Sequence, residues 1–478
     1  MVFLMLCILL LAVTLFMLIR TFVLREHNRS SAPQTAPIEE SRARQVLSQA
    51  VGCPTISRMQ SEETDWSAFD NLGALLAASY PRCESHRITE GVGSHNLVYR
   101  FEGTDSGLQP ALLTAHLDVV PVQESQWSHP PFSGIIEDGY LWGRGSFDCK
   151  LQVVTILQAF ETRLETQTGS KRTWYVAFGC DEECNSLEQG ASSIAAYFER
   201  QNIRFSLVLD EGGVVSERYI EGFSQSIAVV GIAEKGYLDL ELSTKRSAGH
   251  SSTPAFPTAL GSLSRALAIL EQKQMHRFIT YPVKQMLTHL GKEGPFAYSL
   301  LFLNLTLTKH LLFAVFSKSP TLNALIRTTV VPTVIHASDQ SNVIAQEAKA
   351  QVNIRLLGDD TPQKVVAWMH KVLKDPSIQI RILRFTPPSN VSRVDDPAFM
   401  CIKQTIQSCF PDALVAPYLM LGATDARKYQ HLCDAIYRFT PARMEKSEVQ
   451  RMHAPDERIS LDNIDHAVGF YRKLIHSW

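Results

Sequence analysis

The sequence predicts an α/β fold, in which helices cover both faces of a mostly parallel sheet and a smaller α+β domain is inserted. Two patterns carry this prediction. Strand-like apolar runs alternate with segments of helical periodicity through the first half of the chain, and this order is typical of parallel sheets. Beginning at Gly236, the residues Leu238, Leu240 and Leu242 alternate with polar residues, as in a half-exposed strand of an antiparallel sheet.

The composition is that of an ordinary folded protein. The 478 residues include 46 Lys and Arg against 48 Asp and Glu, which gives a formal net charge of -2. This balance indicates neither a basic surface for nucleic acid nor an acidic tail, so we expect no nucleic-acid partner. The chain contains nine cysteines and no C-x-x-C pair, which does not indicate a disulfide framework.

The first element is an apolar run from Val2 to Ile19, closed by Arg20. The run is long enough to cross a bilayer and somewhat longer than the core of most signal peptides. We therefore assign residues 1–25 to a signal peptide or a membrane anchor. The same segment predicts contact with a membrane or with lipid.

The flanks of this segment point in two directions. Arg20 and Arg25 would keep the following domain cytoplasmic by the positive-inside rule, whereas N-x-S/T sequons suit a luminal domain and would make the chain a glycoprotein. The sequons begin at Asn28, Asn304 and Asn390. We favour the secretory pathway, with the chain either secreted or anchored as a single-pass protein through residues 2–19.

A linker and the first part of the main domain follow. Residues 26–44 are largely polar and contain two prolines, as is typical of a linker. Residues 45–235 contain the alternating strands and helices of the main domain. The predicted strands are Leu112–Ala115, Thr173–Phe178 and Phe205–Leu209.

The predicted insert comprises residues 236–385, a lid or dimerisation domain, and residues 386–478 then complete the main domain. A second alternating strand at Ala350–Leu356 supports this division. The segment Phe296–Phe316 within the insert is unusually apolar, but its polar and basic residues argue against a second transmembrane span. We predict a buried helix pair there; the alternative is an apolar surface near the substrate or a membrane.

Residues suited to metal binding follow three of the predicted strands and lie in one glycine-bearing turn, and open α/β sheets place active sites where their strands end. The clusters are His116-Leu117-Asp118, the turn that ends in Asp148, Asp181-Glu182-Glu183, and Asp210-Glu211. Imidazole and carboxylate groups without cysteine at ligand spacing suit zinc or a similar dication. Two ions about 3.5 to 4 Å apart would use the surplus of carboxylates and activate water for attack on a carbonyl.

Eight motifs, taken in chain order, resemble those of the zinc exopeptidases that include carboxypeptidase S and the aminoacylases. The motifs are TAHLDVVP, PPFSG, GRGSFDCK, DEE, LDEGG, AGHSSTP, GATDAR and MHAPDERI. The resemblance covers roughly residues 50 to 475. It implies the di-zinc exopeptidase type of α/β fold, two zinc ions per chain and an inserted domain.

The resemblance also implies roles for residues of the metal site. The implied zinc ligands are His116, Asp148, Glu183, Asp210 and His453. Asp148 would bridge the two ions, and Asp118 would support the imidazole of His116. Glu182 would be the general base, which takes a proton from water and delivers it to the leaving nitrogen.

Three further residues are expected to bind the substrate. The resemblance implies that His250 of the insert reaches an active site across a homodimer interface and stabilises the carbonyl oxygen. Arg427 matches the position that receives the substrate carboxylate, where a bidentate guanidinium contact would explain a requirement for a free carboxyl group. Asn342 is a further candidate for the substrate pocket.

The sequence departs from the family pattern at Cys149, Leu151 and Cys180. None of these departures removes an expected ligand or the expected base. They alter the surroundings of the metal loops and place two thiols near the expected ions.

The expected activity is that of a zinc-dependent amidohydrolase, which cleaves and reversibly forms the amide bond of N-acyl amino acids. The apolar segment Phe296–Phe316 favours N-fatty-acyl substrates. A zinc carboxypeptidase or dipeptidase acting on short peptides with a free carboxyl terminus would use the same site. A third hypothesis, of a different class, is a binding protein that keeps the fold without catalysis.

Overall fold

The computed structural model describes residues 1–25, 40–184, 188–217, 223 and 225–478. Its helices are α1 (Val2–Leu24), α2 (Ser41–Val51), α3 (Trp66–Ser79), α4 (Pro81–Glu84), α5 (Lys150–Glu165), α6 (Ala191–Arg200), α7 (Ala259–Gln272), α8 (Tyr281–Glu293), α9 (Phe296–Phe302), α10 (Leu305–Phe316), α11 (Pro320–Leu325), α12 (Pro362–Leu373), α13 (Pro397–Cys409), α14 (Lys446–Val449) and α15 (Leu461–Ser477). Its strands are β1 (Arg87–Ile88), β2 (Leu97–Phe101), β3 (Ala111–His116), β4 (Ile136–Glu137), β5 (Tyr140–Trp142), β6 (Trp174–Gly179), β7 (Leu207–Ser216), β8 (Ile227–Glu234), β9 (Gly236–Lys245), β10 (Gly249–His250), β11 (Thr329–His336), β12 (Val343–Ile344), β13 (Glu347–Leu356), β14 (Gln379–Thr386), β15 (Leu414–Met420), β16 (Ile436–Met444) and β17 (Arg458–Ser460).

The main sheet has eight strands in the order β1-β2-β6-β3-β7-β16-β8-β15. The pairs β3–β6, β3–β7, β7–β16 and β8–β15 are parallel. Strands β3 and β6 are buried along their whole length, because parallel strands are covered on both faces. This explains the continuous apolar runs in their sequences and confirms the predicted α/β class.

Helices on the main sheet complete its core. Most of α5 is buried, and its residues Val153, Leu157 and Phe160 belong to the largest apolar cluster. Helix α2 begins at Ser41, inside the segment predicted as a linker, because its apolar residues recur at helical spacing and form a face that packs into the same cluster. Residues 26–39 of that predicted linker lie outside the described residues.

The inserted sheet consists of four antiparallel strands in the order β11-β13-β9-β14. Along β9, buried and partly exposed residues alternate, as the leucine pattern predicts. Leu238, Leu240 and Leu242 pack with Leu263 of α7 and Val365 of α12. These helices cover one face of the inserted sheet.

Helices α8 to α11 occupy the middle of the predicted insert but pack against the main sheet. Leu287 of α8 and Phe302 of α9 share a buried cluster with Ala416 of the edge strand β15. The segment Phe296–Phe316 forms the predicted helix pair, α9 and α10, with an angle of 108° between the two helices. The pair is only partly buried, because α10 buries Leu312 and exposes residues on its other side.

Helix α1 is apolar, 23 residues long, and long enough to cross a membrane. Its side chains are exposed along most of its length. A signal sequence has the same properties, so the helix is compatible with either a signal peptide or an anchor. Of the sequons, Asn390 is exposed, Asn304 is 3% exposed, and Asn28 lies outside the described residues.

Candidate metal centre

The first candidate ligand, His116, is the last residue of β3 and is buried. Its Nδ1 lies 2.9 Å from the backbone carbonyl oxygen of Asp118. Because a carbonyl oxygen only accepts, Nδ1 carries the proton and donates it to this bond. This leaves Nε2 facing the carboxylates, 3.1 Å from Oδ1 of Asp148 and 3.4 Å from Oε1 of Glu211.

Asp148 lies between two imidazoles. Its Oδ1 faces His116, and its Oδ2 lies 2.9 Å from Nε2 of His453. The same nitrogen of His453 lies 3.1 Å from Oε1 of Glu183. Burial opposes ionisation of Asp148, but the hydrogen bonds to the two imidazoles lower its pKa below the ordinary value. The two oxygens of one carboxylate are therefore directed to two different ligand groups.

The donor atoms form two sets that share Asp148, and in each set they lie within 4.8 Å of one another. One set holds His116, Asp148, Cys149 and Glu211, and the other holds Asp148, Glu183 and His453. The Cys149 thiol lies 3.2 Å from the backbone nitrogen of His116, which donates to it, and burial raises the pKa of this thiol well above its usual value. Two imidazoles and three carboxylates thus remain as the natural ligands.

Asp118 fixes the loop that carries the acidic pair. Its carboxylate accepts hydrogen bonds from the backbone N–H groups of Glu182 and Glu183, at 3.1 and 3.0 Å, and from the hydroxyl of Ser57 at 2.6 Å. The backbone carbonyl of the same residue orients His116. Asp118 therefore holds a strand end and the following loop in one arrangement.

Glu457 is a positioning residue that the sequence analysis missed. Its Oε1 accepts hydrogen bonds from the backbone N–H groups of Gly145, Phe147 and Asp148 at 3.0, 3.0 and 3.1 Å. Its other oxygen forms a buried ion pair with Arg144. Glu457 thus ties the turn that presents Asp148 to the loop that carries His453, and only its position in the motif MHAPDERI pointed to it.

The electrostatics of the centre suit divalent cations. Asp148, Glu182, Glu183 and Glu211 bring four carboxylates to two imidazoles. Burial raises the pKa of Glu182 well above its usual value and that of Glu211 to about 8. Such shifts arise where acidic groups are crowded and desolvated without a compensating charge. Bound cations would supply that charge, and the oxygen and nitrogen donors fit zinc.

Asp210 is not brought into either ligand set. Its Oδ2 accepts a hydrogen bond of 2.6 Å from the backbone N–H of Ala426, and its Oδ1 accepts one of 2.9 Å from the N–H of Glu211. Successive side chains of a strand point to opposite sides, and on β7 it is Glu211 that faces His116. The register of β3 with β7 places Asp210 level with Thr114, on the side of the sheet to which His116 points, so strand alternation in the sequence does not identify Glu211 as the residue that faces His116.

Two of the three expected substrate-binding residues lie in the insert, and the third lies near the end of β8. His250 and Asn342 are both exposed, and the N–H of Ser251 donates to the backbone oxygen of Asn342 at 3.0 Å. Arg427 donates from Nε to the buried carboxylate of Glu234 at 2.9 Å. The structure thus brings His250 and Asn342 together in the insert and ties Arg427 to the end of β8.

The three residues that depart from the family pattern have buried side chains. Cys149, Leu151 and Cys180 are at most 1% exposed. Leu151 belongs to the main apolar cluster, as do both cysteines.

Comparison with known proteins places this centre in a family. The profile of peptidase family M20/M25/M40 matches residues 112–477. The chain belongs to this family. As M20 proteins are metallopeptidases, the ligand sets described above are its candidate metal centre.

Three curated relatives cover most of the chain. The N-fatty-acyl-amino acid synthase/hydrolase of Xenopus tropicalis is 36% identical over 471 residues, which span 96% of this chain and 92% of the relative. The probable carboxypeptidase S-like 2 of Dictyostelium discoideum is 36% identical over 90% of this chain and 84% of its own. Carboxypeptidase S of Saccharomyces cerevisiae is 26% identical over 90% of this chain and 83% of its own.

Solved structures share the fold of this M20 protein. An M20 family metallo-carboxypeptidase from Sulfolobus solfataricus matches with a TM-score of 0.65 and 16% identity, covering 92% of this chain and 99% of its own. Human carnosine dipeptidase 1 matches with a TM-score of 0.61 and 13% identity, covering 91% and 95%. These likenesses confirm the architecture of a mixed α/β sheet with an additional small domain.

Proposed function

We propose that this M20 protein is a two-zinc amidohydrolase that cleaves, and reversibly forms, the amide bond of N-fatty-acyl amino acids. The observation that carries the proposal is the pair of ligand sets that share Asp148, with Glu182 beside them. The relative from Xenopus tropicalis, whose name describes a fatty-acyl amino acid synthase/hydrolase, supports the substrate class.

The residues of the centre fit two zinc ions. His116, Glu211 and Asp148 would hold one ion, and His453, Glu183 and Asp148 would hold the other. Glu211 thereby replaces Asp210 in the ligand set implied by the family resemblance, because the oxygens of Asp210 accept backbone hydrogen bonds. When bound, the ions would polarise the substrate carbonyl and activate water.

Glu182 is placed to move the proton. One of its carboxylate oxygens lies within 4.8 Å of the donor atoms of His116 and Glu183. Burial favours its protonated form, whereas nearby cations favour its ionised form, so the group can alternate between the two states. In the forward reaction it takes a proton from the attacking water and gives it to the leaving nitrogen.

The carbonyl oxygen and the carboxylate of the substrate would be bound by side chains outside the two ligand sets. His250 is exposed in the insert, and we propose that it acts on the carbonyl oxygen of a substrate bound to a second copy in a homodimer. Arg427 would bind the substrate carboxylate while its Nε keeps the hydrogen bond to Glu234. Asn342, whose backbone oxygen accepts from the N–H of Ser251 next to His250, would line the same pocket.

A carboxypeptidase that acts on peptides is the second candidate function. It is favoured by the relative from Dictyostelium discoideum, which is also 36% identical. Both reactions break an amide bond next to a free carboxylate and use the same groups. The length and polarity of the acyl side therefore distinguish them.

A competition assay tests the proposal. The purified full chain, loaded with zinc, receives a long-chain N-acyl amino acid and an amino-terminally blocked dipeptide in one reaction. We expect a higher kcat/KM for the fatty-acyl substrate, and faster cleavage of the dipeptide would assign the protein to the peptidases. Cleavage of neither substrate by zinc-loaded protein would support a binding protein instead.

A further inference from the structure

The folded body contains a polar contact site for the end of α1. The side-chain amide of Asn304, at the junction of α9 and α10, donates to the hydroxyl of Thr21 at 3.0 Å. Thr21 is fully buried and Asn304 is 3% exposed. Within α1, Val13 and Met17 are the other less exposed residues. The backbone oxygen of Met17 lies 3.5 Å from the same amide of Asn304, so the described contacts with the body lie toward the carboxyl end of the helix.

Two arginines strengthen this contact. Nε of Arg20 donates to the backbone oxygen of Leu303 at 3.0 Å, and Nη2 of Arg25 donates to that of Gly294 at 3.0 Å. The guanidinium of Arg25 also lies 5.6 Å from the ring centre of Phe296. Gly294 precedes α9 and Leu303 follows it, so the two arginines bind the backbone at both ends of this helix.

These contacts bear on whether α1 is removed as a signal peptide or retained. A signal peptide acts before the body folds and is then removed, so the folded body has no need of groups complementary to it. Loss of α1 would remove the Thr21 partner of Asn304 and the hydrogen bonds of Arg20 and Arg25, and would leave the Asn304 amide with the backbone oxygen of Leu300, 2.8 Å away. The contacts indicate that α1 remains part of the folded protein.

Helix α10 presents an apolar stripe to the outside. Leu307, Leu311 and Val315 recur every fourth residue and are 48%, 60% and 48% exposed. From Gly294 to Ser338 the sequence contains no acidic residue. An apolar stripe on a helix free of acidic groups, with basic residues beside it, is the pattern of a helix that lies in a membrane interface.

We propose that α1 is retained as a membrane anchor and that the Leu307–Leu311–Val315 stripe of α10 lies at the boundary between headgroups and acyl chains of the same bilayer. A lipid surface fits this stripe because it continues from the docking site of α1, whose outward side chains are exposed and apolar. At 1.5 Å per residue, α1 is about 34 Å long, enough for the hydrocarbon core of about 30 Å. Exposed Lys309 and Lys318 suit anionic headgroups.

The first test determines whether α1 is retained. The full chain is produced in eukaryotic cells, and its mature amino terminus is identified by intact mass and terminal peptide mapping. We expect residues 2–24 to be present in the membrane-extracted protein. A mature terminus beyond residue 24 would overturn the proposal.

The second test locates α10 relative to lipid. The purified full chain is reconstituted into phosphatidylcholine vesicles that contain phosphatidylserine, with or without brominated acyl chains, and fluorescence is recorded for wild type, Leu307→Trp and Leu260→Trp. Leu260 lies on α7 of the insert and is 45% exposed, so it is a matched control. We expect brominated lipid to quench the emission added at position 307 and to leave that added at position 260 unchanged.

Equal quenching at the two positions would contradict the membrane placement of α10. Shielding of position 307 that depends on protein concentration and not on brominated lipid would assign the stripe to a second copy, and would also overturn the proposal. Neither readout uses catalysis, so the outcome is independent of the proposed activity.

Discussion

At the scale of single residues, His453 occupies a place where a proton and a metal ion compete. Hydrogen bonds to Asp148 and Glu183 raise the pKa of His453 to about 10. In metal-free protein this protonated imidazole supplies positive charge to the two carboxylates. Its stabilising effect is fully present below its ordinary pKa of about 6.5 and is lost as the pH rises through about 10. Metal binding must displace this proton, because an imidazole binds metal in its neutral form.

The first prediction concerns the pH dependence of metal affinity. Below pH 10, each displaced proton makes zinc affinity rise about tenfold per pH unit, and the raised pKa of Glu211 adds to this rise below about pH 8. Calorimetric titration of metal-free protein in two buffers of different ionisation enthalpy measures the protons released. An affinity independent of pH, with no proton release, would contradict the ligand role of His453.

The second prediction separates the two adjacent acids of β7. Glu211→Gln should lower zinc affinity at one site by more than about tenfold, since it removes a charged ligand. Asp210→Asn, the matched control, should keep both ions, because the Asp210 side chain contacts backbone N–H groups. Metal content after dialysis against a zinc buffer decides between them. Loss of zinc from Asp210→Asn with full retention in Glu211→Gln would restore the original assignment.

The third prediction concerns the base. Glu182→Gln should reduce kcat by about 10²- to 10⁴-fold, the usual contribution of a positioned general base, because an amide cannot accept the proton. Its zinc content and circular dichroism should match those of wild type. Turnover near the wild-type rate would remove Glu182 from the mechanism.

At the scale of elements, the centre depends on how loops are tied to strand ends. The turn before α5 carries Asp148, and the loop between α14 and β17 carries His453. Glu457 joins them through three backbone N–H groups and the buried Arg144. Removal of one partner of a buried ion pair leaves an uncompensated buried charge, so it lowers the free energy of unfolding more than removal of a partner from an exposed pair.

The fourth prediction follows from this tie. Glu457→Ala should lower the free energy of unfolding by about 3–5 kcal/mol and weaken zinc binding. Glu347→Ala, which removes a partly exposed acid on β13 paired with lysines, should change it by less than about 1 kcal/mol. Urea unfolding of both variants, followed by zinc titration, measures the two effects. Equal free energies of unfolding for the two variants would show that the contacts of Glu457 do not stabilise the turn that carries Asp148.

Sequence patterns predict which segments form strands or helices better than they predict which of these segments pack together. Strand β3 was predicted because a strand buried on both faces needs a continuous apolar run, and β9 because one exposed face imposes alternation. The apolar periodicity of α8 predicts a buried face but not the surface that covers it, so its packing on β15 came only from the structure. The same limit applies within β7, where two acids side by side give no indication of which one faces His116.

At the scale of the whole molecule, the centre is assembled from distant parts of the chain. The resemblance of motifs predicts His453 as a ligand, but no local pattern links it to Asp148, 305 positions earlier in the chain. The antiparallel pairing of β5 with β17 and the hydrogen bond from the backbone N–H of Asp148 to Glu457 bring the two loops together. The expected roles of His250, Asn342 and Arg427 depend on a second copy or on bound substrate, and they stay predictions.

Anomalous diffraction at the zinc edge, from crystals of the zinc-loaded protein, tests most directly whether two neighbouring cations share Asp148. We predict two peaks on either side of this carboxylate, one beside His116 and Glu211, the other beside His453 and Glu183. A single peak, or zinc bound elsewhere with these side chains apart, would contradict the two-ion centre and the activity derived from it.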